Sequence, residues 1–134
     1  MTDKELILAA VEARKYAYAP YSNHKVGAAL LGKSGKLYTG CNVENAAYSP
    51  TNCAERTAIF KAVSEGEREF TAIAIVGGVG DELSPLCAPC GVCRQVLAEF
   101  SKKDLRIVMG TPDCIKVSTL GELLPHSFTC DNLS

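Results

Sequence analysis

The 134 residues, 47% hydrophobic and 22% charged, suit a single domain, 1–134, and a chain of that length buries roughly two-thirds of its unfolded surface. Fourteen Lys and Arg against 15 Asp and Glu leave a net charge of −1, which excludes a nucleic-acid or anionic-membrane surface built on net charge. No apolar run approaches the ~18 residues of a membrane span, and Asp3, Lys4, Glu5, Glu12, Arg14 and Lys15 exclude an apolar leader core over the first twenty positions, so the cytoplasm is the expected compartment.

In chain order, Thr2 and Glu5 fit a capping box, and Leu6, Ile7, Ala10, Val11 and Ala17 recur at helical spacing until Pro20. Residues 26–31, a turn from Gly32 to Gly35, and residues 37–40 read as a β-hairpin, with 41–45 continuing extended into a loop. A second helix is predicted from about Cys53 to Glu65, with Ala54, Ala58, Ile59, Ala62 and Val63 on one face and Gly66 closing it. Residues 72–77 form a wholly apolar strand of the kind buried on both faces, and a loop follows to residue 88. A third helix starts near Cys90 with Val92, Val96, Leu97 and Phe100 inward. Residues 106–109 and 115–118 read as strands, and 120–124 as a short helix stopped by Pro125. The order predicts an α/β fold, a three-layer α-β-α sandwich around a mixed five-stranded sheet.

Seven cysteines cannot all pair within one chain, and in a reducing compartment clustered thiols point to metal or catalysis before disulfides. Cys90 and Cys93, after Pro89, sit three apart on a first helical turn and can grip one ion. Cys53 starts the other well-formed helix. Helix N-termini favour the thiolate form, and three thiolates with an open fourth position make the catalytic arrangement for zinc. Glu55, two residues after Cys53, is placed to exchange protons with a metal-activated water rather than to ligate. Three thiolates overbalance the ion's +2, and Arg56 can offset the excess by donating to sulfur.

The same residues admit other readings. Asn52 with Glu55 also fits a capping box. Cys87 makes a second Cys-x-x-Cys overlapping the first, so Cys53, Cys87, Cys90 and Cys93 could close a four-thiolate structural site, although Pro89 keeps Cys87 outside the helical turn. A structural-zinc interaction module and a Cys90–Cys93 redox pair are the rivals from other classes. Cys41, Cys114 and Cys130 read as incidental thiols.

Cys53-Ala54-Glu55 followed by Pro89-Cys90-Gly91-Val92-Cys93-Arg94-Gln95 resembles the zinc-dependent nucleoside and nucleobase deaminases, whose chemistry is known in general. Gly40-Cys41-Asn42-Val43-Glu44-Asn45-Ala46-Ala47-Tyr48, with 26–30 and Leu123-Leu124-Pro125, narrows the likeness to the short-chain cytidine deaminases, over about Tyr18 to Phe128. The resemblance implies one zinc per chain on Cys53, Cys90 and Cys93. It implies attack of zinc-bound hydroxide on C4 of the base with Glu55 as proton shuttle, and conversion of cytidine and deoxycytidine to the uridines plus ammonia in pyrimidine salvage. It also implies a substrate-binding set of Asn42, Glu44, Ala54, His24 and Phe128. Alternation along an extended segment independently puts Asn42 and Glu44 on one face. Arg56 matches the residue that hydrogen-bonds the thiolates. Ala46 and Tyr48 match a subunit junction, and the likeness implies a homotetramer with interfacial sites into which Phe128 of a neighbour reaches. His24 stands where the family usually carries Phe, which keeps alive a related deaminase acting on another aminopyrimidine or on a nucleoside antibiotic. A polynucleotide-editing role fits less well, since the first ligand is Cys rather than His.

Overall fold

The most apolar stretch of the chain becomes the central strand. The structure, a computed structural model, describes residues 1–133. In it β3 (Phe70–Val79) has seven consecutive buried residues, 72–78, as a strand covered on both faces must. Antiparallel to it lies β1 (His24–Gly32), in register from His24 opposite Val79 to Leu31 opposite Ala72, with a shift that sets Gly32 opposite Phe70. Outside β1 is β2 (Leu37–Cys41), also antiparallel. On the other side β4 (Arg106–Thr111) runs parallel to β3 and β5 (Cys114–Thr119) antiparallel to β4. The spatial order is β2-β1-β3-β4-β5, the mixed five-stranded sheet that was expected.

Side-chain alternation sends each strand's residues to two cores. Ala29, Ala72, Ala74, Val76 and Val108 meet Leu6, Ile7 and Ala10 of α1 (Asp3–Arg14). Ala28, Leu30, Ile73, Ile75 and Ile107 meet Ala54, Ala58, Ile59 and Ala62 of α2 (Ala54–Ser64) and Leu97 of α3 (Gly91–Phe100). Helices therefore cover both faces. Two glycines set how closely they approach. A Cβ on Gly27 would lie 2.0 Å from the Ala10 carbonyl oxygen, and one on Gly40 would lie 2.5 Å from that of Ala54. The end of α1 thus rests directly on β1, and the start of α2 on β2. A four-residue helix, α4 (Leu120–Leu123), is opened by a capping box between Thr119 and Glu122.

Several boundaries differ from the sequence reading. α1 stops at Arg14 instead of running towards Pro20, because the following backbone bonds elsewhere: Tyr18 donates its N–H to Asn42 O and accepts from Glu44 N–H. That exchange ties residue 18 to the extended 41–45 segment. β3 continues two residues past Gly77, since β1 extends to His24 and gives Gly78 and Val79 partners. The Thr2–Glu5 cap is half formed: Thr2 Oγ1 accepts from Glu5 N–H at 3.1 Å, while the Glu5 carboxylate meets the Thr2 hydroxyl. A 3₁₀ turn, Cys130–Leu133, had no sequence counterpart.

Candidate metal centre and active site

Cys53 and Cys90 occupy the N-cap positions of α2 and α3, both with extended backbone. These helix starts meet outside the carboxyl end of β3, where ligands of open α/β sheets commonly sit. Cys53 Sγ lies 3.8 Å from Cys90 Sγ, and Cys90 Sγ lies 3.4 Å from Cys93 Sγ. All three sulfurs fall within 4.8 Å of one another. A tetrahedral zinc with ~2.3 Å bonds to sulfur places its ligands ~3.8 Å apart, so the donor set fits that ion in both chemistry and spacing. Cys93 is fully buried, Cys53 half-buried and Cys90 exposed, which leaves one side of the triad open.

The electrostatics favour thiolate at Cys53. A hydrogen bond from Cys93 and a second from Arg56 hold its thiol down at about 5. Cys93, the donor in the first of these and buried as well, is pushed up. One terminal nitrogen of Arg56 donates to Cys53 Sγ at 3.2 Å. Arg56 Nε, also buried, makes no hydrogen bond to any described residue.

Glu55 is 4% exposed on the first turn of α2, and burial raises its carboxyl to about 7. It does not cap the helix. Cys53 is the N-cap and makes no side-chain cap bond, while Asn52 turns its amide to the Thr57 hydroxyl at 3.3 Å. A desolvated carboxyl beside three thiols, poised near neutrality, has the properties of a proton-transfer group.

Cys87 stands apart from the triad. Its sulfur packs on Gly77, where a Cβ would approach it to 2.7 Å, and burial pushes its thiol up to about 11. The four-thiolate arrangement is therefore not the one that forms. Arg94 fixes the neighbouring turn, donating from Nε to Pro89 O at 2.8 Å and from a terminal nitrogen to Leu123 O at 2.7 Å.

Asn42 and Glu44 do more structural work than the sequence suggested. The Asn42 amide extends β1: Oδ1 accepts from Val26 N–H at 2.9 Å and Nδ2 donates to His24 O at 2.8 Å. One lone pair and one N–H remain for a ligand. Glu44 accepts from the N–H groups of Tyr21 and Ser22 at 3.0 and 3.1 Å, and from the Ser22 hydroxyl. That hydroxyl contact, first among the causes, holds its carboxyl below the usual range. Ser22 escaped the sequence reading because its partner is 22 residues away. Glu44 also lines a cleft of about 370 Å³ with Tyr21, Ser22, Asn45, Tyr48 and Thr51.

His24 opens β1, half-buried, with its N–H on Ser22 Oγ at 3.0 Å. Ala54 is fully buried. Ala46 and Tyr48 lie on an exposed loop, where Tyr48 meets Tyr21 edge-on with ring centres 6.5 Å apart. Phe128 is 60% exposed, its carbonyl held by Gln95 Nε2 at 2.8 Å.

Residues 1–110 match the family profile described as the cytidine and deoxycytidylate deaminase zinc-binding region. The chain is 47% identical to a cytidine deaminase of Sporosarcina psychrophila, over all of this chain and 96% of that one. It is 48% identical to one of Halalkalibacterium halodurans, over all of this chain and 99% of that one. Among solved structures, a cytidine deaminase from Burkholderia pseudomallei superposes with a TM-score of 0.88 at 51% identity, covering 96% of this chain and 100% of that one.

Proposed function

The chain belongs to the zinc-binding cytidine and deoxycytidylate deaminase family, and from that premise we propose that it hydrolyses the exocyclic amine of cytidine and deoxycytidine, giving uridine or deoxyuridine and ammonia. The observation that carries this reading is the convergence of three cysteine sulfurs from two helix starts beside a buried glutamate.

Cys53, Cys90 and Cys93 would hold zinc, which when bound supplies a Lewis acid that activates water. The remaining work falls to the chain, along lines general to zinc deaminases rather than peculiar to this one. Glu55 takes a proton from the attacking water and delivers it to N3 of the base. It then takes the remaining proton from the hydroxyl now on C4 and passes it to the amine nitrogen, so that the C4=O bond forms as the C4–N bond breaks and ammonia leaves. Burial, which raises this carboxyl in the metal-free chain, makes it a ready proton acceptor in a site closed to bulk water. Arg56 draws negative charge from Cys53 through its hydrogen bond. Asn42 and Glu44 offer the ribose hydroxyls an amide and a carboxylate that β1 and the 21–22 backbone already hold in place.

The reading extends to assembly and setting. The chain acts as one domain in the cytoplasm, in pyrimidine salvage, as a homotetramer whose pockets are shared between subunits. Exposed Tyr48 and Phe128, at 75% and 60%, support a subunit junction there. No helix among the described residues is long and apolar enough to cross a membrane. A substrate panel assayed for ammonia release, with zinc measured on the same sample, tests the proposal. One zinc per chain with turnover of cytidine is the expected result; metal without turnover of any aminopyrimidine nucleoside defeats it.

A further inference from the structure

Cys90, at the end of the segment that leaves β3 at Val79 and reaches α3 at Gly91, and Cys93, on the first turn of α3, are both placed by that segment, which has no regular secondary structure of its own. Its first turn is gathered by one side chain from the far side of the sheet. Arg14, the last residue of α1, donates from Nε to Lys25 O at 2.8 Å. One of its terminal nitrogens faces three more carbonyls, those of Gly78 at 2.8 Å, Gly80 at 2.7 Å and Glu82 at 3.0 Å. A planar guanidinium with donors in a rigid fork suits such a cluster, and a lysine's single ammonium does not.

The surroundings are shaped to admit this contact. Gly27 lets α1 settle on β1 so closely that a Cβ there would sit 2.8 Å from Arg14 Cβ. Gly78 lets the outgoing chain fold back, since a Cβ would lie 2.0 Å from Glu82 O. Ser84 N–H then bonds Gly77 O at 2.8 Å, and Cys87 packs on Gly77. Pro89 and the two ligand thiols follow within a few residues. The same arginine also grips Lys25, between the two residues that Asn42 clasps, His24 and Val26.

We propose that Arg14 is a positioning residue for the metal centre: by gathering the carbonyls of residues 78, 80 and 82 it sets the path that presents Cys90 and Cys93 to Cys53. The proposal rests on the zinc reading of those thiols. Loss of the clamp lets the 80–88 segment sample other paths, so the ligands leave the ion more readily while Cys53, Glu55 and Arg56 stay in place on α2.

The test times zinc transfer from the loaded full-length protein to a chromogenic chelator. Arg14→Ala is expected to release zinc at least about tenfold faster than the parent, in line with the loss of an outer-shell support, with Arg14→Lys in between. Arg106→Ala is the control. It removes the paired contacts at 2.5 and 2.6 Å to Asp3, which also tie α1 to the sheet but at its other end, and it is expected to release zinc at the parent's rate. Should Arg14→Ala fail to fold, Gly78→Ala displaces the Glu82 carbonyl with Arg14 intact and is expected to show the same fast release. Parent-like release from these variants overturns the proposal, and so does equally fast release from Arg106→Ala, which would mark general loosening. A parent that takes up no zinc defeats the metal reading and this proposal together. A parent holding one zinc that Arg14→Ala loses no faster defeats this proposal alone.

Discussion

Arg56 donates to Cys53 Sγ at 3.2 Å from three residues further along the same helix. The contact answers a charge problem set by the ligands themselves. Three thiolates bring −3 to an ion of +2, and the surplus blunts the ion's power to acidify water. A guanidinium on one sulfur withdraws part of that surplus. Arg56→Gln is therefore expected to lower kcat by about tenfold, or ~1.4 kcal/mol in the barrier, with a smaller change in KM. Steady-state kinetics on cytidine, with zinc content measured alongside, check this. A rise in KM at constant kcat would place Arg56 in substrate binding instead.

Glu55→Gln separates the proton-transfer role from a packing role. The amide fills the same volume, so zinc should be retained while turnover falls by at least about 10²-fold. The same substitution has a pH signature in the metal-free protein. Burial raises the Glu55 carboxyl from 4.5 to about 7, so between these values the folded state holds a proton that the unfolded state has lost. The parent then loses stability as pH rises through that window, whereas the glutamine variant does not. The advantage of Glu55→Gln should be absent below about pH 4.5 and grow to roughly 3 kcal/mol above pH 7. Denaturant titrations of both proteins at several pH values measure it. A difference that stays flat with pH would mean the carboxyl is not desolvated.

What could be read from the sequence was local, and what could not was long-range. The apolar run 72–77 identified a strand buried on both faces, and the spacing of Cys90 and Cys93 marked one helical turn, because both signals are periodicities over a few residues. Cys53, 37 residues before Cys90, was joined to them by the likeness to the deaminases, with Cys87 left open. The end of α1 was misplaced because the backbone of Tyr18 answers to Asn42 and Glu44, more than twenty residues on. Arg14 looked like one charge among several for the same reason: its acceptors lie at residue 25 and at 78–82. The double fit of Asn52 and Glu55 was undecidable in one dimension. Folding resolved it by making Cys53 the cap and sending Asn52 to Thr57.

Glu44 carries two duties that mutations can divide. Its carboxylate holds the 21–22 turn through two N–H groups and one hydroxyl, and it lines the cleft beside Tyr21 and Tyr48. Glu44→Ala removes both duties and should raise KM for cytidine by about tenfold or more, since a hydrogen bond to a charged group contributes ~1.5–3 kcal/mol. Ser22→Ala removes only one of the three contacts and should raise KM much less. Equal effects from the two would show that Glu44 acts solely through the turn.

Cys87 offers the sharpest distinction between a catalytic and a closed metal centre. Its sulfur rests on Gly77 and its thiol is pushed up to about 11, a half-buried packing group rather than a ligand. Cys87→Ala should cost about 1 kcal/mol of stability from lost packing and leave one zinc per chain. Cys93→Ala, by contrast, should lose the metal, because Cys93 is the fully buried member of the triad and two remaining thiolates do not make a tight site. Metal analysis after gel filtration reads both. If Cys87→Ala loses zinc while Cys93→Ala keeps it, the ligand set is wrong, and with it the open position that a hydrolytic centre requires.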